Sequence, residues 1–402
     1  MKQTRWTALF WIALSQLFAL SLWFSASVII TDLKYIWNLS GSSEALISSS
    51  VPLGFIVGAL VSSYFGIADR YNARKIFAIA ALFGAVINCF ILVTGSAFIG
   101  ISLRFLTGIT LAFVYPIAVK ILAAWFPKNR GLAIGILIAA LTLGSALPHF
   151  IVVFLTAVSW KFIIIASSSL AFCAAIMMYL LVADAPTASN KTVFSFTLLR
   201  KVLQNKPVML ANYGYFGHMW ELYAMWTWLP AFLTASFMMY APETSLWFSA
   251  LAAFFSIGIA GAIGSVLGGY IADKIGRAQL TIIALSGSTV CALLIGFTFG
   301  KAVWLTLAVA FLWGVFVIAD SAQFSAAVSE FADVEYVGTA LTFQMCIGFA
   351  ITIITIQALP FLQTVVGWEW VFAFLSIGPI LGIVSMDKLR KQGDGSGASF
   401  LK

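Results

Sequence analysis

Residues 213–228 read YGYFGHMWELYAMWTW, from Tyr213 to Trp228, inside an apolar run over about 208–238. A run of that length can cross a bilayer as a helix. His218 and Glu221 sit near its middle, three residues apart, so a helix puts them on one face. An ionisable side chain at bilayer depth is costly, faces protein or water rather than lipid, and marks function by default. The chain is therefore expected to build a membrane-crossing cavity around this helix and a few other buried charges.

Composition agrees. The chain has 402 residues, 62% hydrophobic and 9% charged, with a mean hydropathy of +1.04. Soluble domains average about 25% charged residues, so this is an integral membrane protein. Residues 6–30 form an apolar run too long for a signal-peptide core, and no small-residue cleavage site ends it. A first spanning helix is expected there. The net charge of +8 is scattered over short loops, as orientation signals are, and does not mark a nucleic-acid surface. Cys89, Cys173, Cys291 and Cys346 all lie in apolar segments and read as small buried hydrophobes. His149 and His218 are too few and too far apart for a zinc motif. No nucleophile–base pair, phosphate loop or cofactor motif appears, so neither an enzyme nor a bound cofactor or resident metal is expected.

Twelve apolar segments follow, at 8–30, 45–66, 76–95, 99–124, 131–157, 161–183, 208–237, 245–271, 279–299, 303–328, 338–363 and 369–387. The lengths suit helices, not barrel strands. Loops on one side hold Arg70, Arg74, Lys75, Lys128, Lys191, Arg200, Lys201, Lys274 and Arg277, with Lys2 and Lys402 at the ends. Lys120 lies near a helix end on that side. The other side holds only Lys34, Lys161 and Lys301. Cationic loops stay inside, so both termini are expected in the cytoplasm of a bacterial-type inner membrane. The expected domains are a six-helix bundle at 1–183, a cytoplasmic loop at 184–206, a second bundle at 207–390 and a disordered tail at 391–402. The halves repeat. Segment two ends in Gly66-Ile-Ala-Asp69-Arg70-Tyr-Asn72-Ala-Arg74, and segment eight in Gly269-Tyr-Ile-Ala-Asp273-Lys274-Ile-Gly276-Arg277.

Twelve spans and a duplicated Gly-x-x-x-Asp-Arg/Lys-x-Gly-Arg loop resemble the major facilitator superfamily of secondary transporters. The second copy fits at Gly269, Asp273, Lys274, Gly276 and Arg277. In the first, Phe65 stands at the glycine position, with Gly66 one place late. Asn72 replaces the turn glycine, and Asn enters the left-handed region readily. Ala73 replaces the first arginine and leaves Arg74. The resemblance implies two pseudo-symmetric six-helix bundles around a central cavity. It also implies an inner gate made by an Asp–Arg network, here Asp69, Arg70, Arg74, Asp273, Lys274 and Arg277. Arg104-Phe-Leu-Thr-Gly108 resembles the family's Arg-x-x-x-Gly element, associated with proton coupling or an anionic substrate. Trp125-Phe-Pro127 to Gly135 is a further match. Segments two and eight lack the arginine of nitrate/nitrite porters. The drug-antiporter Gly-Pro signature is split here between Gly144 and Pro148.

Ionisable groups well inside the spans are Arg104, His149, His218, Glu221 and Asp320. In the resembled fold each falls on a cavity-lining segment. Arg104 and His149 share the outer half and are expected to approach each other. Arg104 keeps its proton, so a carboxylate or an anionic solute must compensate it. The expected solute contacts are Arg104, His149, Tyr215, His218, Trp220, Tyr223, Gln323 and Gln344. The expected proton carriers are Glu221 and Asp320, with His218 beside them. Trp226 and Trp228 are expected in the outer interfacial belt. The glycines of segment eight mark a packing element. Pro116, Pro148, Pro230 and Pro360 are candidate kinks. These features predict a transporter of a small anionic organic solute, coupled to protons, working by alternating access as a monomer among membrane lipids. Alternatives are efflux of drugs or cations by proton antiport, and carriage of a divalent metal ion by His218, Glu221 and Asp320.

Overall fold

The computed structural model describes residues 3–39, 41–126, 130–155, 159–184, 195–244, 246–333 and 335–395. Lys2, Pro127, Lys128, Lys191 and Lys402 lie outside them, as do 185–194 of the expected central loop and 396–402 of the expected tail. The side chain of Asp69 also lies outside the described set.

The chain folds into twelve helical spans. They are α1 (Arg5–Leu20), α2 (Ser43–Tyr64), α3 (Ala73–Val93), α4 (Ala97–Trp125), α5 (Gly131–Phe154) and α6 (Lys161–Leu181). The second half has α7 (Lys206–Tyr240), α8 (Leu246–Ile275), α9 (Arg277–Thr298), α10 (Val303–Phe331), α11 (Val337–Val366) and α12 (Trp368–Gln392). Among the described residues, ten of these are long and apolar enough to cross a membrane by length and composition alone. The exceptions are the short α1 and the 35-residue α7. The polar and aromatic side chains of α7 suit its place, because 21 of its 35 residues, His218 and Glu221 among them, are buried in protein. Asn205 caps α7 by accepting from Val208 N (3.1 Å), with Pro207 in the first turn. The last helix runs to Gly395, past the expected boundary at 390, where Asp387 pairs with Arg390 (2.7 Å) and Lys391 (2.6 Å) one turn on.

Two six-helix halves meet along α2 against α11 and α5 against α8. Within each half one seam is drawn tight by glycine. A Cβ on Gly54 of α2 would lie 1.9 Å from the Phe105 carbonyl oxygen of α4. One on Gly264 of α8 would lie 2.1 Å from that of Val315 in α10. The backbones touch there, as small residues allow in membranes.

The two repeated loops turn differently. Gly66 takes the left-handed conformation (φ 60°, ψ 33°), and in the second copy Gly276 has a positive φ with an extended ψ (φ 90°, ψ 154°). Asn72 is not left-handed as expected. It is extended (φ −63°, ψ 117°), and its side chain caps α3 by accepting from Lys75 N at 3.1 Å. The glycine one place late therefore carries the turn, and Asn72 is free to start the next helix.

Several spans are broken. Of the candidate prolines, Pro116 sits in the first turn where α4 restarts after Ala112–Val114, while Pro148, Pro230 and Pro360 lie inside continuous helices. α8 winds as a π-helix over Phe254–Ile259, and α10 is interrupted at Asp320. α1 stops at Leu20, and a short helix resumes at Ile30–Trp37. The break takes the carbonyls of Leu22 and Trp23 out of regular helix, leaving them open to further donors. Arg104 of α4 donates to them, with Nη1 on Leu22 O (2.9 Å), Ser25 Oγ (3.2 Å) and Asn88 Oδ1 (3.2 Å), and Nη2 on Trp23 O. Asn88 passes the network on to Ser168 Oγ (2.9 Å). A cation beside the C-terminal carbonyls of a helix is also favoured by the helix dipole.

Two outcomes follow from this packing. Gly54→Ala and Gly264→Ala should each lower stability by about 1–3 kcal/mol through overpacking. Gly95→Ala, which meets nothing within 4 Å, should be neutral. Thermal unfolding in detergent checks this, and equal melting of all three would refute the seams. Arg104→Ala should cost roughly 1–3 kcal/mol for each carbonyl left unpaired, and should loosen Trp23, read as a red shift of tryptophan emission. An unshifted, equally stable variant would contradict the anchoring role.

Candidate functional site

A cavity of about 680 Å³ lies between the halves. Its walls come from the turn after α1 and from α2, α4, α5, α7, α10 and α11. At one end it stops on an aromatic cluster. Trp23 stacks on Tyr223 with ring centroids 5.1 Å apart, Phe55 meets Phe349 at 4.6 Å, and Tyr223 meets Phe349 at 5.3 Å. Phe24 and Trp226 continue the cluster away from the cavity (6.4 Å), and all six of these rings are buried. A second tie across the halves, Gln357 Nε2 to Ser49 Oγ (2.7 Å), joins α11 to α2.

The other end points to the face that carries Arg70, Arg74, Lys274 and Arg277. Here the wall is polar, with Ser62, Ser63, Ser321, Ser325, Ser329 and Thr342, and its side chains are increasingly exposed toward that face. Ser63 and Thr342 hydrogen-bond across the halves (2.8 Å). Lys120 of α4 is the only Lys, Arg, Asp or Glu among the described lining residues. Its Nζ donates to the Ala68 carbonyl.

Behind the wall, the second half encloses three titratable groups. His218 Nδ1 of α7 lies 2.9 Å from Asp320 Oδ1, at the break in α10, and the two side chains are 2% and 1% exposed. The two side chains are in close contact but out of line for a regular hydrogen bond, so Asp320 Oδ1 has no hydrogen-bond partner and neither has His218 Nε2. Glu221 lies one turn further along α7. It accepts from Trp313 Nε1 of α10 (2.7 Å) and from Ser288 Oγ of α9 (2.7 Å). One carboxylate thus holds three helices through neutral donors alone. The rings of Tyr215 and Phe324 lie 6.0 and 5.6 Å from His218. Tyr215 itself lines the cavity, so a single ring layer separates solute from the His218–Asp320 pair.

Of the expected solute contacts, Tyr215 and Tyr223 line the cavity. The others are placed elsewhere. Arg104 is fully buried against α1 and α3, where it donates to carbonyl, hydroxyl and amide oxygens and, among the described residues, meets no carboxylate. No hydrogen bond or ion pair joins it to His149 among the described residues. His149 is buried on α5 away from the lining. Trp220 faces α12, with Nε1 donating to Phe374 O (3.3 Å). Gln323 accepts from Arg277 Nη1 (3.0 Å) and so belongs to the loop network. Gln344 stands just behind the wall, accepting from Ser325 Oγ (2.9 Å), with its Nε2 unpartnered. Trp226 is fully buried instead of interfacial, and Trp228 donates to Ile356 O (3.1 Å). His218, Glu221 and Asp320 do not converge as ligands, and among the described residues no cluster of three His, Cys, Asp or Glu could hold a metal. The metal-carrier alternative lacks its ligand set, because Glu221 is committed to Trp313 and Ser288.

The loop residues pair locally. Arg74 donates to Val182 O (2.7 Å) and reaches Asp184 (3.4 Å), tying α3 to the end of α6. Arg277 pairs with Glu330 of α10 (2.7 Å), and Lys274 sits over the Tyr270 ring (4.1 Å). Arg74 and Arg277 have each found a carboxylate outside the repeated motif. Asp273 reaches the other half, where a Cβ on Gly131 at the start of α5 would meet its Oδ1 at 3.0 Å. Sequence reading did not single out Trp23, Phe55, Phe349, Tyr115 or Lys120 as lining, nor Ser288 and Trp313 as partners of Glu221. Lys120 carried a usable signal, a cation within an apolar segment. Ser288 and Trp313 carried none.

The model of the Major Facilitator Superfamily matches residues 12–351. A curated relative, the probable sulfoacetate transporter SauU of Cupriavidus necator, is 26% identical over 252 residues, which is 55% of this chain and 56% of that protein. The match thus spans about half the length of each. Among solved structures, the proton:xylose symporter XylE superposes with a TM-score of 0.73 at 16% identity, covering 96% of both chains. The human organic anion transporter MFSD10 superposes with a TM-score of 0.72 at 13% identity, covering 96% of this chain and 100% of that one. At these identities the likeness is one of fold. With twelve helical spans in two six-helix halves among the described residues and a family match over most of its length, the chain belongs to the Major Facilitator Superfamily, a family of transporters and not of enzymes, and is a multi-pass membrane protein.

Proposed function

We propose that the protein moves a small anionic organic solute, coupled to protons, by alternating access across a bacterial-type inner membrane with both termini in the cytoplasm. The observation that carries the reading is Lys120, a cation set in a cavity wall whose other described lining residues are apolar side chains, aromatic rings and hydroxyls. An ammonium brings three donors and a full charge, and charge-assisted bonds are stronger than neutral ones. The sulfoacetate transporter among the relatives acts on a small solute with two acidic groups, in keeping with this choice. The cation-efflux alternative would want a carboxylate in the wall, and none is among the described lining residues.

In this reading the cavity faces the cytoplasm, because the polar end opens toward the cationic loops and the aromatic cluster blocks the far end. Solute pairs with Lys120 and lies against Tyr215 and Tyr223. Glu221 is the proton carrier that links α7, α9 and α10. As a carboxylate it accepts from Trp313 and Ser288; on taking a proton it loses its charge and becomes a donor, so the clamp on the three helices changes. His218–Asp320 is a second proton site beside the wall. The halves then rock about the solute, as in other two-bundle transporters. One chain encloses the whole cavity, so a monomer suffices.

Two outcomes test this. Lys120→Gln should raise the half-saturating concentration for sulfoacetate or a similar short dianion about tenfold or more, from the loss of one charge-assisted contact. Uptake into proteoliposomes reads it, and an unchanged value removes the anionic assignment. Glu221→Gln should keep solute binding, seen as ligand-dependent thermal stabilisation, while abolishing accumulation driven by a pH gradient. Full gradient-driven uptake would exclude Glu221 from coupling.

A further inference from the structure

A second cavity, of about 660 Å³, lies on the outer surface of the first half between α3 and α4. Its mouth carries Arg70 and Lys75, both exposed, and its length is lined by Ile79 and Phe83 of α3 and Ile109 and Phe113 of α4. Among the described residues neither cation has a carboxylate at ion-pair distance, whereas Arg74 between them is tied to Asp184 and Val182. From Lys75 to Phe83 the groove follows α3 for about 12 Å at 1.5 Å per residue. Ile79 and Phe83 are 55% and 58% exposed, on a helix that crosses the membrane. The charged end sits where α2 gives way to α3, at the edge of the apolar span.

A free anion would have no use for 12 Å of apolar wall, and an uncharged chain none for two cations. We infer that this groove is a binding site for an anionic phospholipid, with the phosphate on Arg70 and Lys75 and an acyl chain between α3 and α4. Basic pockets at the ends of membrane helices attract such headgroups. The site also touches the transport pathway. Ile67 lines the groove, while its neighbours Gly66 and Ala68 line the central cavity, and Ala68 O accepts from Lys120. A lipid wedged against Ile67 therefore steadies the turn that receives the Lys120 ammonium.

The test is native mass spectrometry of the intact, detergent-solubilised protein titrated with phosphatidylglycerol or phosphatidylcholine. The wild type should retain phosphatidylglycerol preferentially, and the double variant Arg70→Gln, Lys75→Gln should bind it about tenfold more weakly. The double variant Arg390→Gln, Lys391→Gln, which removes equal charge elsewhere on the same face, should match the wild type. Equal retention of the two lipids by the wild type overturns the proposal without any variant having to fold. Equal loss in both double variants, or displacement of the lipid by inorganic phosphate, overturns it as well.

Discussion

A guanidinium deprived of water must find its acceptors inside the protein, and Arg104 finds them at the broken end of α1. The arrangement works in both directions. The break takes carbonyls out of regular helix at bilayer depth, and Arg104 would be uncompensated without them. Each makes the other tolerable. The geometry this sets is the floor of the cavity, because Trp23 hangs from the same turn and stacks on Tyr223 across the gap between the halves. The seal of rings between the two bundles thus depends on a hydrogen-bonded charge that is not among the described residues lining the cavity.

The two halves share an architecture but divide the chemistry. Both close one internal seam by bringing glycine backbones to contact, and both end their second helix in a turn that needs a positive φ. The first half spends its deep charge on structure, as a donor to carbonyls. The second half holds the groups able to change charge, Glu221, His218 and Asp320, in a shell between α7, α9 and α10. The cation in the cavity wall belongs to the first half, on α4. The cation that pairs with solute and the proton sites in the proposed mechanism therefore sit on opposite bundles, and a transporter that rocks one bundle on the other would couple them through relative motion.

The twelve spans, their helical nature and the duplication were legible because lipid leaves so little choice. A backbone in hydrocarbon must pair with itself, so span length and apolar composition nearly decide the element. The importance of α7 was legible too, from ionisable side chains at a depth where they are costly. Which polar residue faces solute was not. Arg104, His149 and Asp320 look alike in a sequence, each one charge or ring in an apolar run. Their surroundings differ by a rotation about the helix axis and by what the neighbouring helix presents. Lys120 read as an orientation signal near a helix end, yet the interruption of α4 at Ala112–Val114 precedes a helix that turns it to the cavity.

Chain composition by itself determined that this protein lives in a membrane, how many times it crosses, and that the stretch around His218 and Glu221 lies at its centre. Tertiary structure alone decided that Glu221 is held by Trp313 and Ser288, that Arg104 serves carbonyls, and that the cavity wall carries Lys120. The physical reason is range. Helix formation in lipid answers to neighbours within a few residues, whereas the partner of a buried polar group is selected by contacts between positions such as 221 and 313, which only the packed bundle brings together.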